Sequence, residues 1–560
     1  MRPERVNCHF GWKGVSAALA CLVLQGALFA QGVHVSLRGT ANPLPGTYKQ
    51  DRYQDVQVMG NYAYVGQFAS NVGVLIFDIS NASAPVMVAK YATPTVSADM
   101  EYLQVGNNVG YFASGRGGGV HIVDLSNPLQ PKLITRLTSA NGAYDNVENT
   151  FLDGTHLYIP NYRNNSPAVE IWDVSTPSVP RLIRTVIGTD PVASHDVVVM
   201  NNKMYIAGWG GHIDIWDVTN VDTQTPVLLG TFTSETHAQF MWPTADGNFL
   251  VVPHELTPVG DVRIYNISNP SNVVQVAALA ASSLGIGAIT PAEAKVVGDL
   301  LYVAWDQAGL VIFDIGNPAS PVLVGAYDTY TGPNNASFQG GIGVYPFLAQ
   351  NKILLTDTAF GLFVLDASNV SQSPALYNLT MTPASIPGGL STTGNVFLAG
   401  VAQSGGFAVT ISGSGPAASG SVVVPAGTTS GKFSEHTTAV TSTATAVVTA
   451  SDGTYNVSAN LTVTPPVPSS AAFNPSKVTG GSNSNFSVTL NVAPAVDTTI
   501  PITVVSGGGA IASIPSSVTV TAGFTKGSVV VGTSPVSTQT IVQVSATLNG
   551  KTKTGSLTVQ

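Results

Sequence analysis

Short apolar runs recur along the first two-thirds of the chain, and each is followed by a polar residue and a turn. One such unit reads GLVIFDIGNPASPVLVGAY from Gly309 to Tyr327. The polar residue marks the same position in seven copies, at Asp78, Asp124, Asp173, Asp217, Asn266, Asp314 and Asp366. These positions are roughly 44 to 52 residues apart, a period typical of the blades of a β-propeller.

The residue pattern within one unit predicts four β-strands. The apolar run that opens each copy is too short for a helix and lacks polar alternation, which indicates a strand buried on both faces. The Asp and the Asn-Pro or Thr-Pro pair that follow favour a turn, and PVLVGAY then alternates like an outer strand. Upstream, DVQVMGNYAYVG from Asp55 to Gly66 predicts a hairpin that turns at Gly60-Asn61.

A strand-like segment without the rest of a blade, VHVSLRGTANP from Val33 to Pro43, precedes the first complete unit. The seventh copy lacks a clear outer strand, because after Asp366 the chain continues into a region of different composition. A ring of sheets closes most simply when an N-terminal strand completes the C-terminal blade, since closure leaves no free edge. We therefore expect residues 33–43 to be the clasp of a seven-bladed β-propeller spanning residues 31–375.

The region from residue 376 to Gln560 contains few charged residues and alternates Val and Thr in short runs. It looks doubled, since LTMTPASIPGGLSTTGNVFLAGVA from Leu379 is echoed by AAFNPSKVTGGSNSNFSVTLNVAP from Ala471. Each half suits an immunoglobulin-like sandwich. The predicted fold class is all-β: a seven-bladed β-propeller followed by two immunoglobulin-like β-sandwich domains, at residues 376–465 and 466–560.

The first thirty residues predict a signal peptide. Three basic residues precede a mostly apolar run from Val15 to Phe29, which is too short to span a bilayer. We therefore expect a mature protein that is secreted or held at the cell surface and has no transmembrane segment. Both cysteines, Cys8 and Cys21, lie in this segment, so the mature chain is expected to have no disulfide and no thiol chemistry.

The charge balance bears on the class of partner. Without residues 1–30 the chain keeps 19 of its 22 basic residues and 30 of its 31 acidic residues, so the net charge is 19 − 30 = −11. A chain this acidic repels phosphate backbones, and nucleic acid is not expected as a partner.

The FDISNP and WDVSTP cores, each followed by a Pro-x-Leu pattern, resemble the LVIVD repeat of secreted bacterial proteins over about residues 45–375. The segment THAQFMWPTADGNFLVVPHEL from Thr236 to Leu256 is also similar to the corresponding blade of choice-of-anchor propeller domains. The resemblance implies an exported, often surface-associated, seven-bladed β-propeller. It implies no catalytic motif shared by the family.

Ionisable residues open several of the predicted inner strands. With the blades aligned on the hairpin tyrosine, the candidate site residues are Glu101, Glu148 and His195 and, with a residue of slippage in the alignment, His237 and Glu293. Equivalent positions in successive blades converge on the mouth of the central channel, where carboxylates and imidazoles could bind a divalent metal or act as acid and base on a ligand. The alternative is that these residues simply line a solvated channel. No catalytic residue is assigned and no cofactor is predicted, while a divalent metal stays an open possibility.

Two classes of function fit these observations. The preferred hypothesis is a secreted or cell-surface binding or scaffold protein, which presents a loop face of the propeller to an extracellular glycan or protein ligand. The alternative is a secreted propeller enzyme, a lyase, hydrolase or metal-dependent oxidase, that uses the carboxylate and histidine cluster. The fold by itself does not decide between them.

Overall fold

The computed structural model describes residues 32–44, 53–68, 73–92, 99–115, 117–161, 167–255, 260–286, 290–330, 332, 338–370 and 374–560. These residues form 45 β-strands, three short 3₁₀ turns and no α-helix, so the predicted all-β class is confirmed. None of their segments is a helix long and apolar enough to cross a membrane. The predicted signal peptide, residues 1–30, lies outside the described residues.

Seven four-stranded antiparallel sheets account for the described strands between Ser36 and Asp366. The strand β1 spans Ser36–Ala41 and joins the last of these sheets. The first three sheets comprise β2 (Val56–Met59), β3 (Tyr62–Val65), β4 (Gly73–Asp78) and β5 (Val86–Ala92); β6 (Leu103–Gly106), β7 (Val109–Ser114), β8 (Gly119–Asp124) and β9 (Lys132–Leu137); and β10 (Phe151–Asp153), β11 (His156–Pro160), β12 (Ala168–Asp173) and β13 (Arg181–Ile187).

The other four sheets continue the same order along the chain. They comprise β14 (Ser194–Met200), β15 (Lys203–Gly208), β16 (His212–Asp217) and β17 (Val227–Thr233); β18 (Trp242–Pro243), β19 (Phe249–His254), β20 (Asp261–Asn266) and β21 (Val274–Ala280); β22 (Ala294–Val297), β23 (Leu300–Trp305), β24 (Gly309–Asp314) and β25 (Val322–Tyr327); and β26 (Gly341–Tyr345), β27 (Lys352–Asp357) and β28 (Gly361–Asp366) with β1.

The recurring Asp or Asn ends the third strand of each sheet, as the sequence pattern predicts. That strand is buried along nearly its whole length, as in β4 and β8, because it lies between two neighbouring sheets. Asp124 then accepts a hydrogen bond from the Ser126 N–H at 2.9 Å, which fixes the turn into the outer strand. The hairpin between β6 and β7 turns at Asn107 and Asn108, both with positive φ, the conformation of a type I′ turn.

Clusters of buried apolar side chains lie between successive sheets and make up the core. Tyr64 and Val74 of the first sheet pack against Phe112 of the second. At the other end of the series, Leu75 of the first sheet packs against Val364 of the last, so the sheets close into a ring. The inner strand of each sheet, β2, β6, β10, β14, β18, β22 or β26, therefore faces the axis of a β-propeller.

The clasp predicted for residues 33–43 is confirmed. Strand β1 pairs antiparallel with β28, from Ser36 opposite Asp366 to Ala41 opposite Leu362. Arg38 forms an ion pair and hydrogen bond with Asp366. The N-terminal strand thus supplies the outer strand of the last sheet and covers the edge that it would otherwise expose.

Two further pairs of sheets follow the propeller. In the first pair, β29 (Ala375–Thr382), β31 (Ser391–Ala399) and β34 (Ser430–His436) face β30 (Ser385–Pro387), β32 (Phe407–Gly413), β33 (Gly420–Val424), β35 (Ala444–Ser451) and β36 (Asn456–Thr464). In the second pair, β37 (Pro468–Asn474), β39 (Asn483–Leu490), β41 (Ile511–Ser513) and β43 (Lys526–Thr533) face β38 (Lys477–Val478), β40 (Thr498–Ser506), β42 (Ser517–Val520), β44 (Thr540–Leu548) and β45 (Lys551–Val559).

Each pair of sheets encloses its own apolar cluster, as expected of a β-sandwich. The first sandwich also packs on the propeller, because Tyr377 and Phe397 belong to the cluster that contains Leu279 and Phe313. The Gly400 N–H donates to the Leu323 carbonyl oxygen at 2.7 Å across the same contact. The immunoglobulin-like classification and the domain limits at residues 375 and 465 stay predictions.

Candidate functional site

The inner strands bring equivalent residues of all seven sheets to one axis. Pairing with the neighbouring strand sets their alignment: Gln57 lies opposite Tyr64, Gln104 opposite Tyr111, and Phe151 opposite Tyr158. Gln54, Glu101 and Glu148 stand three residues before Gln57, Gln104 and Phe151. The sequence predicted that they open the inner strands, but they lie two or three residues before the first residue of β2, β6 and β10.

Glu148, His195 and His237 lie in one group, which we call the strand-start cluster together with Trp209. The Nε2 atom of His195 is 3.5 Å from Glu148 Oε1, and its Nδ1 atom is 2.8 Å from the Gln239 carbonyl oxygen. The His195 ring stacks on the Trp209 ring with a centroid distance of 4.8 Å. The His237 ring contacts the same Trp209 ring edge-on, with a centroid distance of 4.6 Å. The structure therefore brings three of the five predicted residues together.

The other two predicted residues have further neighbours of their own. Glu101 is buried beside Gly115 and Asp99: a Cβ atom added at Gly115 would lie 3.0 Å from Glu101 Oε1 and 3.6 Å from Asp99 Oδ1. Glu293 forms an ion pair with Lys295 at 2.7 Å. Among the described residues, no three His, Cys, Asp or Glu side chains are placed so that they could hold a metal ion together.

The strand register shifts two of the predicted alignments. The pair Trp242 and Val251 is equivalent to the pair Phe151 and Tyr158 of an earlier blade. Glu148 stands three residues before Phe151, and the residue three before Trp242 is Gln239 rather than His237. His237 stands two residues earlier, with a left-handed backbone at φ 62°. Lys295 pairs with Tyr302, which places Glu293 one position further into the channel than Glu148.

That deeper position carries buried polar residues in several blades, which we call the buried belt: Asp55, Asn149, Asp196 and Glu293, with Lys295 beside Glu293. Three of the belt carboxylates bind the backbone of the next blade. The Leu103 N–H donates to Asp55 at 3.2 Å, the Met241 N–H to Asp196 at 3.1 Å, and the Val344 N–H to Glu293 at 2.7 Å. These carboxylates therefore fasten neighbouring blades to each other.

Burial has the largest effect on the pKa values of the carboxyl groups in the buried belt. It raises the pKa of Asp196 to about 6 even though His195 stands beside it, and it raises the pKa of Glu293 to about 7 against the opposing effect of Lys295. It also raises the pKa of Asp55. Burial alone lowers the pKa of His195, but Glu148 and Asp196 outweigh this effect and the pKa is raised.

A small pocket opens from the belt toward the hairpin ends of the inner strands, and we call it the hairpin pocket. Its volume is about 60 Å³. The belt residues form its floor, Gln57 and Gln104 stand on its walls, and aromatic side chains surround its opening. The Trp242 ring lies 6.4 Å from Phe151 and 5.7 Å from Phe347, measured between centroids.

Sequence reasoning missed the hairpin pocket and most of the buried belt. A signal for the belt was present, because DVQV at Asp55 and DVVV at Asp196 both place a carboxylate just before an apolar inner strand. In another blade, the AKVV segment places Lys295 two residues after the belt residue Glu293. No sequence signal connects Trp242 with Phe347, because the first lies in a strand and the second in a hairpin of a different sheet.

A serine, a histidine and an aspartate also line up near the end of β19. Ser234 Oγ is 2.6 Å from His254 Nε2, and His254 Nδ1 is 3.0 Å from Asp261 Oδ1, in the order found in hydrolase triads. Ser234 follows β17, however, so the contact joins two neighbouring sheets. Similar hydroxyl-to-carboxylate contacts join two other pairs of sheets, Thr189 with Asp214 at 2.5 Å and Thr329 with Asp357 at 2.8 Å. We interpret the three contacts as links between blades.

Comparison with known families finds LVIVD repeats in this chain, at residues 52–93, 110–139 and 293–329. The predicted resemblance to that repeat is therefore confirmed. No curated protein sequence matches the chain.

Comparison with solved structures finds matches at low identity. The periplasmic gluconolactonase of Pseudomonas aeruginosa is 13% identical, with a TM-score of 0.39, and the match covers 56% of this chain and 90% of that one. YCF48 bound to a D1 peptide is 10% identical, with a TM-score of 0.40, and the match covers 59% of this chain and 97% of that one. The assignment of the propeller fold rests on the sheet topology and on the repeats.

Proposed function

We propose that this LVIVD-repeat propeller is an exported binding or scaffold protein, which presents one face of the propeller to an extracellular glycan or protein. The observation that carries the proposal is the use of the channel carboxylates. Asp55, Asp196 and Glu293 each accept a hydrogen bond from the backbone of the next blade, and Glu293 also pairs with Lys295. Groups held in this way stabilise the ring, and a general acid or base must instead reach a substrate proton.

The two sandwiches after the propeller support the same proposal. The first packs on the propeller through Tyr377 and Phe397, whereas the second has an apolar cluster of its own. This contact fixes the first sandwich to the propeller, and the sandwiches then extend the chain away from the blades, as a spacer would. Export and surface location are part of the proposal, and they are supported by the sequence pattern of residues 1–30.

The enzyme alternative places its chemistry in the strand-start cluster, where Glu148 and His195 lie 3.5 Å apart. A turnover experiment separates the two functions. The purified full-length protein is incubated with neutral cell-envelope polysaccharides and with extracellular proteins, and each ligand is then examined for binding and for change of mass. We expect a ligand that is retained with its mass unchanged. Shortening or oxidation of a ligand, abolished by His195→Ala, would contradict the binding function.

Location is tested by cell fractionation together with N-terminal sequencing of the mature protein. We expect the protein outside the cytoplasm, with an N-terminus near residue 31. A cytoplasmic protein that keeps residues 1–30 would contradict export.

A further inference from the structure

We propose that the hairpin pocket binds the end of a neutral saccharide, with one sugar ring lying on the aromatic rim and one hydroxyl-bearing arm reaching the polar floor. The inference rests on the proposed binding function and gives it a site and a ligand class. The site is defined by Trp242 and Phe347 on the rim and by Asp196 and Lys295 among the floor residues. Its floor residues Asn149 and Asp196 directly follow Glu148 and His195 of the strand-start cluster in sequence, and its rim residues Trp242 and Phe347 lie further along the chain from the strand starts.

The charges in the pocket favour a neutral ligand. Lys295 is 4% exposed and its Nζ atom lies 5.7 Å from the centre of the Trp242 ring, so an organic cation that sought the same ring would meet an ammonium group already in place. Asp55, Asp196 and Glu293 line the same pocket and repel an anion. A ligand without net charge avoids both costs.

The hydrogen-bonding groups favour hydroxyls. Lys295 has three N–H donors, of which one is directed at Glu293. The side-chain amides of Gln57, Gln104 and Asn149 both donate and accept, and the belt carboxylates accept. A hydroxyl group donates and accepts at once, so several hydroxyls on one ligand can satisfy a mixed set of this kind.

The size of the pocket limits how much of the ligand enters. A volume of about 60 Å³ holds roughly two groups the size of a water molecule, at about 30 Å³ each. A whole sugar ring is larger than that. A hydroxymethyl group or a pair of ring hydroxyls fits, and the ring itself then lies across the opening.

The rim provides a surface for the ring. Phe347 is 43% exposed, and its plane is inclined by 38° to that of Trp242, which is half-buried. The Phe151 ring also lies near Trp242, with a centroid distance of 6.4 Å, and is half-buried too. Aromatic faces next to convergent polar groups are the usual composition of a small-molecule site, since the apolar area contributes affinity and the polar groups fix orientation.

The test uses the full-length protein and titration calorimetry. The probes are neutral pentasaccharides of glucose, galactose and mannose, a uronic-acid oligosaccharide of similar length, and an amino-sugar oligosaccharide. The variants are Phe347→Ala, which removes an exposed rim ring, and Gln104→Ala, which shortens a wall residue. Phe524→Ala is the matched control, because Phe524 is 66% exposed and lies in the second sandwich.

We expect a neutral pentasaccharide to bind more tightly than both charged ones. Loss of the Phe347 ring should weaken that binding about fivefold to tenfold, the effect of one aromatic contact, and Phe524→Ala should leave it unchanged. Near-ultraviolet circular dichroism of each variant shows whether its fold is intact.

Three results would overturn the inference. If a neutral saccharide binds wild type and both pocket variants equally, the site lies elsewhere and the proposed binding function stands. If a charged oligosaccharide binds best, the charge argument is wrong. If no saccharide binds while a protein ligand does, the pocket is not a sugar site and the scaffold function remains. Conversion of a bound saccharide to a product would instead contradict the proposed function.

Discussion

Replacing Asp196 by Asn removes an ionisable group that is 2% exposed in the buried belt, and the pH dependence of stability reports the change. Burial raises the pKa of Asp196 from 3.8 to about 6. The native state therefore binds more protons than the unfolded state between those values, so the stabilisation is present at low pH and is lost as the pH rises through about 6. Between about pH 7 and about pH 5 this single group adds about 1.3 kcal/mol to the free energy of unfolding.

Asp196→Asn also has an effect that does not depend on pH. The Asn149 amide donates to one carboxylate oxygen at 2.5 Å and the Met241 N–H to the other at 3.1 Å. The new amide NH₂ must face one of these donors, which costs about 1–3 kcal/mol at any pH. Asp196 also helps to raise the pKa of His195, so its removal reduces acid stabilisation by that histidine in the same direction.

The assay is urea unfolding followed by tryptophan fluorescence at about pH 5 and about pH 7. All tryptophans of the described residues lie before residue 376, so the signal reports the propeller and its contact with the first sandwich, where Trp305 lies in the same cluster as Phe397. We expect the wild type to gain at least about 1 kcal/mol more than Asp196→Asn on acidification. Asp299→Asn, an exposed change in the turn between β22 and β23, is the control. Equal pH increments in wild type and Asp196→Asn would refute the assignment.

Three further changes test the clasp, the links between blades and the contact with the first sandwich. Gly39→Val places a Cβ atom 2.4 Å from the Ala82 carbonyl oxygen, so we expect the free energy of unfolding to fall by about 1–3 kcal/mol, measured by thermal unfolding. An unchanged melting curve would mean that β1 is dispensable. Ser234→Ala removes the hydrogen bonds to His254 and Tyr265 and should cost about 1–3 kcal/mol. A fluorophosphonate probe should leave Ser234 unlabelled, and labelling would show a nucleophile. Phe397→Ala should weaken docking of the sandwich by about 3 kcal/mol and speed its proteolytic release, and identical digestion rates would place the docking energy elsewhere.

Much of the propeller follows from local sequence, because its repeating unit is built from short-range rules. The apolar run before Asp124 must be buried on both faces, and the Asn107-Asn108 turn allows only a tight hairpin. The clasp was also predictable, since one strand without a blade and one blade without an outer strand complete each other. The docking of Phe397 on the propeller was not, because a half-buried sandwich strand looks the same in sequence whichever surface covers it.

The candidate site shows the same division. Glu148 and His195 were correctly aligned with each other, because each stands the same number of residues before a hairpin tyrosine, although only His195 lies within its strand. His237 was not, since an irregular backbone ahead of β18 shifts that blade by two residues and gives its position to Gln239.

The sequence by itself determined the blade, the ring and the strands that face the channel, because a strand has a side-chain period of two and a propeller repeats one unit. The tertiary structure decided what those residues do. It turned Asp55, Asp196 and Glu293 toward backbone N–H groups of the next blade, and it set Trp242 beside Phe347. These contacts depend on distances across different sheets, which the packing of neighbouring blades fixes and the order of residues within one blade does not contain.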